Sequence, residues 1–345
     1  MRKLRYLGIF TLPVVVVFAF NNSGVWAFLP FIVFFGLVPV LELFIKPDKY
    51  NLQGEELEKA KSDRYFDWLL YLTVPVQIGM LIYFLIIIQD TPIGTPEYVA
   101  RIHSMGLMCG VFGINIGHEL GHRTNRLEQL LGEISLLSSL ETHFLPYHNR
   151  GHHYNVATPD DPATARKGEW LYVFWFRSQV GSYIQAWQLE AQRLNKKGSH
   201  WFSLSNRMVI YTVAQLALLA LIFIFFNAKG LFAFIHASIM GILLLETVNY
   251  IEHYGLLRKQ KENGRYERVL PEHSWNSDHL LGRSLLFELS RHSDHHYKAS
   301  KHYQILETIP ESPQMPTGYP GMMLLACFPP LWQWVMDKRI SNRIL

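Results

Sequence analysis

Six apolar runs, each close to bilayer-spanning length, constrain this chain more than any other feature. They lie at about residues 5–20, 24–45, 67–89, 97–117, 208–226 and 231–252. A hydrocarbon core about 30 Å thick takes about 20 helical residues to cross. Inside it every backbone donor and acceptor must be satisfied within the protein, which a helix does unaided. The first run is short enough to consider as a signal peptide. No small-residue cleavage site follows residues 14–20, however, and a second apolar run starts almost at once, so it reads as a retained span.

Lysine and arginine counts set the orientation. Arg2, Lys3 and Arg5 precede the first run, and Lys46, Lys49, Lys59, Lys61 and Arg64 follow the second. The turn at residues 21–24 and the loop at 89–99 carry no basic residue, residues 123–207 carry many, and the turn at 227–230 has only Lys229. The expected fold is an all-α integral membrane protein, one membrane-embedded domain over residues 1–345. Six transmembrane helices would put both termini in the cytoplasm of a bacterial inner membrane. A cytoplasmic His-rich helical cap would be built from segments 118–207 and 253–345. The net charge of +4 is small, and basic loops of this kind answer to orientation and anionic lipid rather than to nucleic acid. Residues 169–195, with Trp170, Trp175 and Trp187 among Arg177 and Arg193, suit amphipathic helices at the interface. Residues 127–145 read as a helix buried against the spans or re-entrant. Pro39 is expected to kink the second span, and Glu42 to snorkel or face protein.

Histidine is the second signal. Three clusters occur: His118-Glu119-Leu120-Gly121-His122, His148-Asn149-Arg150-Gly151-His152-His153, and Arg291-His292-Ser293-Asp294-His295-His296. On a helix, positions i and i+4 share a face while i+5 points about one residue further round. Two histidines of the middle cluster would then reach one metal while the third turns to another. Imidazole serves zinc, copper, iron and nickel, so ligand type leaves the metal open. The count narrows it: with His253 at the end of the sixth run, His118, His122, His148, His152, His153, His292, His295 and His296 make nine candidates. A single tetrahedral zinc is filled by far fewer. Nine imidazoles fit two metals of higher coordination number with positions left for oxygen. Glu119, Glu252, Asp160, Asp161 and Asp294 lie beside the ligands and are candidates to accept hydrogen bonds from them. Only Cys109 and Cys327 are present, too few for a disulfide framework, a zinc ribbon or a rubredoxin-type site within this sequence. His118–His122 also matches H-E-x-x-H, which as a membrane zinc protease would use Glu119 as base. That reading leaves the other two clusters unexplained.

The segments HELGHR, HNRGHH, NYIEHYGL and RHSDHH, with residues 156–166 and 318–322, resemble the integral-membrane alkane 1-monooxygenase family. The family lies within the wider group of His-rich membrane desaturases and hydroxylases. The similarity covers roughly residues 65–340, with Tyr147 standing where the family often has Glu. The resemblance implies a non-haem di-iron site with two Fe ions on the nine histidines and O2 as co-substrate. It implies hydroxylation of a terminal methyl group of a hydrophobic substrate dissolved among membrane lipids. Electrons would come from rubredoxin, a separate chain served by an NAD(P)H-dependent reductase. Related membrane fatty acid desaturases and alkyl-aromatic methyl hydroxylases share the scheme and stay open as alternatives. Trp26, Phe31, Phe35, Met105, Met108 and Phe112 are candidates to set substrate length from within the spans. His103, His143, His200, His236, His279 and His302 have no clustered partners and read as ordinary hydrogen-bonded residues. His273 is a candidate support for the site.

Overall fold

Apolar runs whose backbone finds no outside partner can close hydrogen bonds only within themselves, and here they do so as helices. The computed structural model describes the backbone of residues 2–344 and the side chains of residues 3–340. In order the main helices are α1 (Lys3–Phe20), α2 (Gly24–Phe44), α3 (Tyr65–Asp90), α4 (Pro96–Gly121), α5 (Arg126–Leu137), α6 (Leu171–Asn195), α7 (Arg207–His253), α8 (His292–Tyr297) and α9 (Pro329–Ile344). Among the described residues, extended pairing is confined to the single bridges Gln260–Tyr266 and Asn276–Gln314. Five stretches among the described residues are long and apolar enough to cross a membrane: α1, α2, α3 with the short helix before it, α4 and α7.

The last two expected spans form one helical stretch, α7, broken at Asn227 (φ 52°, ψ −170°). A positive φ with ψ near 180° is a backbone that residues other than glycine rarely adopt. Asn227 Oδ1 accepts from Lys229 N at 2.8 Å, capping the second half, and its Nδ2 donates to Gln89 Oε1 at 2.9 Å. Gln89 in turn donates to Phe226 O at 3.2 Å. The turn expected at 227–230 is thus compressed to one non-helical residue held by α3.

The chain divides into two compact units, the first being Met1–Phe34, Arg64–Tyr147 and Ile184–Leu245. Its organising element is α4, which carries glycines on two sides. A Cβ on Gly113 would lie 1.9 Å from Ser139 Oγ, one on Gly117 2.5 Å from Leu136 Cγ and 3.0 Å from Gly132 O, and one on Gly121 2.1 Å from Leu145. On the other side, Cβ atoms at Gly106 and Gly110 would lie 2.6 and 3.2 Å from Met240 and Leu244 of α7. Small residues let backbones approach in membranes, where lipid tails give helices no hydrophobic reason to associate. Ile114, Leu136, Phe144 and Leu145 fill the core beneath, with Ile242 and Leu245 packed on it. The helix expected over 127–145 is only α5: Asn125 caps it by accepting from Leu127 N, and Leu140 (φ 57°) turns the chain back.

The second unit comprises Phe35–Asp63, His148–Tyr183 and Glu246–Leu345. Tyr250 and Tyr254, at the end of α7, pack on Trp332 of α9 with ring centroids 5.2 and 5.4 Å apart, and Trp275 Nε1 donates to Tyr254 O at 2.9 Å. Arg283 is tied to Glu288 at 2.6 Å, and Arg291 donates to Leu306 O at 2.5 Å and Tyr50 O at 2.9 Å. This buried polar lattice fixes the backbone on either side of α8. The amphipathic expectation at 169–195 resolves into the single helix α6, with Phe174 fully buried and Phe176 80% exposed.

Candidate metal centre

The middle histidine cluster does not form a regular α-helix. Residues His148–His152 are π-helical, with i→i+5 bonding, and a short α-turn follows. Position i+5 is thereby brought over position i, so the partner of His148 is His153, with their Nε2 atoms 3.0 Å apart. His152, which α-helical spacing would pair with His148, turns instead to the other two histidine-bearing segments. Its Nε2 lies 3.2 Å from that of His296, and His253 and His292 have theirs 3.1 Å apart.

His152, His253, His292 and His296 are all buried, and each offers a nitrogen within 4.8 Å of the others. α8 splits its histidines by helical spacing: His292 and His296, at i and i+4, serve this set, while His295 lies with His148 and His153, again within 4.8 Å. In the first unit, the end of α4 brings His118 and His122 together with Nε2 atoms 3.2 Å apart. Two nitrogens each about 2.1 Å from one ion, at tetrahedral or octahedral angles, sit about 3.0–3.4 Å apart, so these pairs have the spacing of neighbouring ligands. His296 also has the charge state that metal binding needs. Burial, reinforced by the imidazoles around it, holds His296 well below the ordinary histidine pKa, leaving it neutral and able to bind metal.

Two carboxylates reach these rings. Asp161 Oδ2 lies 2.9 Å from His152 Nδ1 and also accepts from Thr164 Oγ1 at 2.7 Å, all three residues being buried. With Nδ1–H donated to Asp161, Nε2 is left with its lone pair facing the cluster. Asp160, the neighbouring candidate, is exposed, so the role expected of it belongs to Asp161. Glu252 Oε2 stands 3.2 Å from His292 Nε2, and its Oε1 accepts from the Tyr319 hydroxyl at 2.7 Å.

The other two acidic candidates hold the scaffold. Glu119 is buried and accepts from Arg123 at 3.0 Å, while Arg123 also reaches Asp67 at 3.4 Å. A carboxylate stabilised by arginine is a poor general base, which counts against the protease reading. Asp294 accepts from Lys301 Nζ at 2.7 and 3.0 Å and from Glu307 N at 2.8 Å, anchoring α8 from inside. Burial lowers the Lys301 pKa, but the Asp294 and Glu307 carboxylates outweigh it and leave the ammonium above its ordinary value.

His273 sits with Glu267 and Glu272, 3.3 and 3.8 Å from Nε2. Its Nδ1 accepts from Leu270 N at 3.0 Å, so in the neutral ring the proton is on Nε2, facing the carboxylates. That tautomer stabilises a loop and has no lone pair to offer a metal there. His103 and His236 bond carbonyls of their own helices, and His143 lies 3.3 Å from Glu141. The sequence motifs included Thr164 and Tyr319 without giving either a role, and nothing in them pointed to Lys301. A hydroxyl three residues after a buried aspartate is the one signal that pointed to Thr164. Of the six positions suggested as length-setting, Met105, Met108 and Phe112 are fully buried, whereas Trp26 is 54% exposed and packs on Phe18.

Residues 98–325 match the fatty acid desaturase family. The chain is 40% identical to alkane 1-monooxygenase 2 of Pseudomonas aeruginosa, over 93% of this chain and 85% of that protein. It is 38% identical to alkane 1-monooxygenase 1 of Alcanivorax borkumensis, over 96% of this chain and 82% of the relative. The xylene/toluene monooxygenase hydroxylase component XylM of Pseudomonas putida is 30% identical over 98% of this chain and 89% of its own length.

Proposed function

Because this chain belongs to the fatty acid desaturase family and, within it, to the alkane 1-monooxygenases, we propose that it hydroxylates the terminal methyl group of an alkane. The reaction takes RH, O2, two electrons and two protons to a primary alcohol and water. The observation that carries this reading is the convergence of His152, His253, His292 and His296 beside a second set, His148, His153 and His295. We assign one iron to the four and the other to the three, with His118 and His122 the remaining two of the nine ligands read from the sequence. Bound there, a pair of irons supplies activation of O2 and the strength to break an unactivated C–H bond.

The chain's own residues do the rest. The nine imidazoles, as uncharged donors, would hold the metals without cancelling their charge. Asp161 fixes the orientation and tautomer of His152. The Asp294–Lys301 pair holds α8 so that its histidines address two ions. Glu252, held by Tyr319, places a carboxylate beside His292. Met105, Met108 and Phe112, buried in α4 on the way to His118, keep water out and confine a hydrocarbon that enters from the bilayer.

The two thiols, Cys109 and Cys327, are free and far apart in sequence, so electrons come from another protein. Rubredoxin, reduced by an NAD(P)H-dependent reductase, fits that need. Reading the two halves of α7 as separate crossings restores six spans, with the histidines on the cytoplasmic side where a soluble donor reaches them. A methyl group on an aromatic ring is the second substrate reading, favoured by the likeness to the xylene/toluene enzyme component. The test is anaerobic purification with metal quantitation, then product analysis on alkanes and xylenes with rubredoxin and its reductase. Two irons per chain and primary alcohols are expected; a single zinc, or no oxygenated product, overturns the proposal.

A further inference from the structure

At the end of α2 lies a cavity of about 340 Å³ whose lining includes Glu42, Phe44, Lys46, Lys49, Asp278 and His279. That volume is at the small end of the range, roughly 300–1,000 Å³, that small-molecule sites occupy. Glu42 is 2% exposed. Its Oε1 accepts from Gly282 N at 2.8 Å, while its Oε2 has no hydrogen-bond partner among the described residues. The carboxylate rests on Gly318, where a Cβ would come within 1.9 Å of Oε2. A glycine that makes room for a buried carboxylate, one of whose oxygens is left unmet, marks a place built for a donor from outside the chain.

The surroundings say which donor. Asp278 already has a counter-charge: its Oδ2 accepts from Thr308 Oγ1 at 2.7 Å, and its Oδ1, itself without a hydrogen bond among the described residues, lies 3.4 Å from Arg291. The His279 ring is neutral, held below its ordinary pKa by burial, and its Nδ1 lies 3.0 Å from Ser277 Oγ. Glu42 is therefore the anion left to answer a ligand, and Lys46 and Lys49, both exposed, are the cations at the rim. Beside them Leu43 and Phe44 are 70% and 81% exposed, as lipid-facing residues at the end of a span are.

We propose that this cavity binds the head group of a phospholipid bearing a primary amine, with the ammonium on Glu42, the phosphate on Lys46 and Lys49, and the acyl chains along Leu43 and Phe44. Phosphatidylethanolamine is the simplest lipid of that description. Basic residues next to a span attract any phospholipid phosphate. The buried carboxylate adds selection, because an ammonium that carries N–H groups can donate to Oε2 and a trimethylated one cannot. The site is separate from the histidine sets and rests only on α2 lying in a membrane, so failure of the hydroxylation reading leaves it untouched.

The full-length protein, purified in detergent and stripped of lipid, is titrated by native mass spectrometry with phosphatidylethanolamine, phosphatidylcholine and phosphatidylglycerol of the same acyl chains. Wild type is expected to bind the ethanolamine lipid about tenfold more tightly than the choline lipid, the worth of one charge-assisted hydrogen bond. Equal binding of the two overturns the proposal without recourse to any variant. Glu42→Gln should bring the ethanolamine lipid down to the choline level, whereas Lys46→Ala with Lys49→Ala should weaken all three and keep the preference. A preference that survives Glu42→Gln refutes the assignment of the ammonium. Free O-phosphoethanolamine at the lipid's concentration should displace nothing; displacement would mean a soluble ligand, and Glu42-dependent uptake of an inorganic cation without lipid selection would mean a metal site.

Discussion

Helices α4 and α7 invert the rule that soluble proteins teach. α4 is the least apolar of the candidate spans, yet 72% of its most apolar stretch is buried. α7 is the most apolar, and only 11% of its corresponding stretch is buried. In water the more apolar helix would be the inner one. Among lipid tails an apolar surface has no reason to hide, so apolarity marks contact with lipid and the buried helix is free to be poor in it. What α4 carries instead is close packing: glycines against α5 and α7, then His118 and His122 at its end. α7 keeps Phe223, Ile224 and Phe225 outward and carries its buried carboxylates and histidine in its last turns, at Glu246, Glu252 and His253, with Asn249 among them.

If both helices end in metal ligands, the contrast should vanish there. His118→Ala on α4 and His253→Ala on α7 are each expected to abolish hydroxylation and to lower iron below two per chain. Full activity in either would remove that helix from the site. Asp161→Asn comes next. It keeps the shape but weakens the acceptor that orients His152, so metal affinity should fall about 10–100-fold, the usual effect of losing such a partner. Metal titration with unchanged helicity by circular dichroism is the check. Within α4, Phe112→Ala should admit longer alkanes with iron content unchanged, since about one methylene of pocket depth is worth 10–200-fold in selection. An unaltered product profile would put the hydrocarbon elsewhere.

The packing contrast gives smaller effects. Gly117→Ala places a carbon 2.5 Å from Leu136 and should cost about 1–3 kcal/mol by overpacking. Phe225→Ala on α7, 73% exposed, should change stability by about 0.5 kcal/mol or less. Unfolding in mild detergent compares them, and equal costs would break the argument. A pH dependence is also expected, in the buried loop after α5. Burial pushes the His143 pKa down to about 4 from 6.5. The unfolded chain therefore takes up the proton first. This residue's share of stability is intact above pH 6.5, declines as the pH falls from there to about 4, and is level below. His143→Gln should flatten that part of the unfolding profile.

Much of this was legible in the sequence, for reasons that also explain what was not. The apolar runs announce their helices because a bilayer allows little else. The break at Asn227 sits where Asn-Ala-Lys-Gly announces a turn. Which helix is innermost was not legible from apolarity; the spacing of Gly106, Gly110, Gly113, Gly117 and Gly121 held that information. The nine histidines could be counted, but their sorting depended on a π-turn that periodicity arguments do not anticipate. Asp160 and Asp161 are equivalent on paper, and a turn that buries one and exposes the other chose between them.

That π-turn makes the pairing of these histidines a matter of counting backbone residues. A π-turn is an α-turn with one residue too many, and the surplus residue is what sends His148 and His153 one way and His152 the other. Substitutions between the histidines leave the count alone and leave the pairing with it. Adding a single residue between His148 and His152, with no histidine touched, would put His152 at i+5 and so over His148 in place of His153. The segment is therefore far less tolerant of a change in length than of a change in composition, a kind of constraint that loops seldom carry and active-site helices rarely show so plainly.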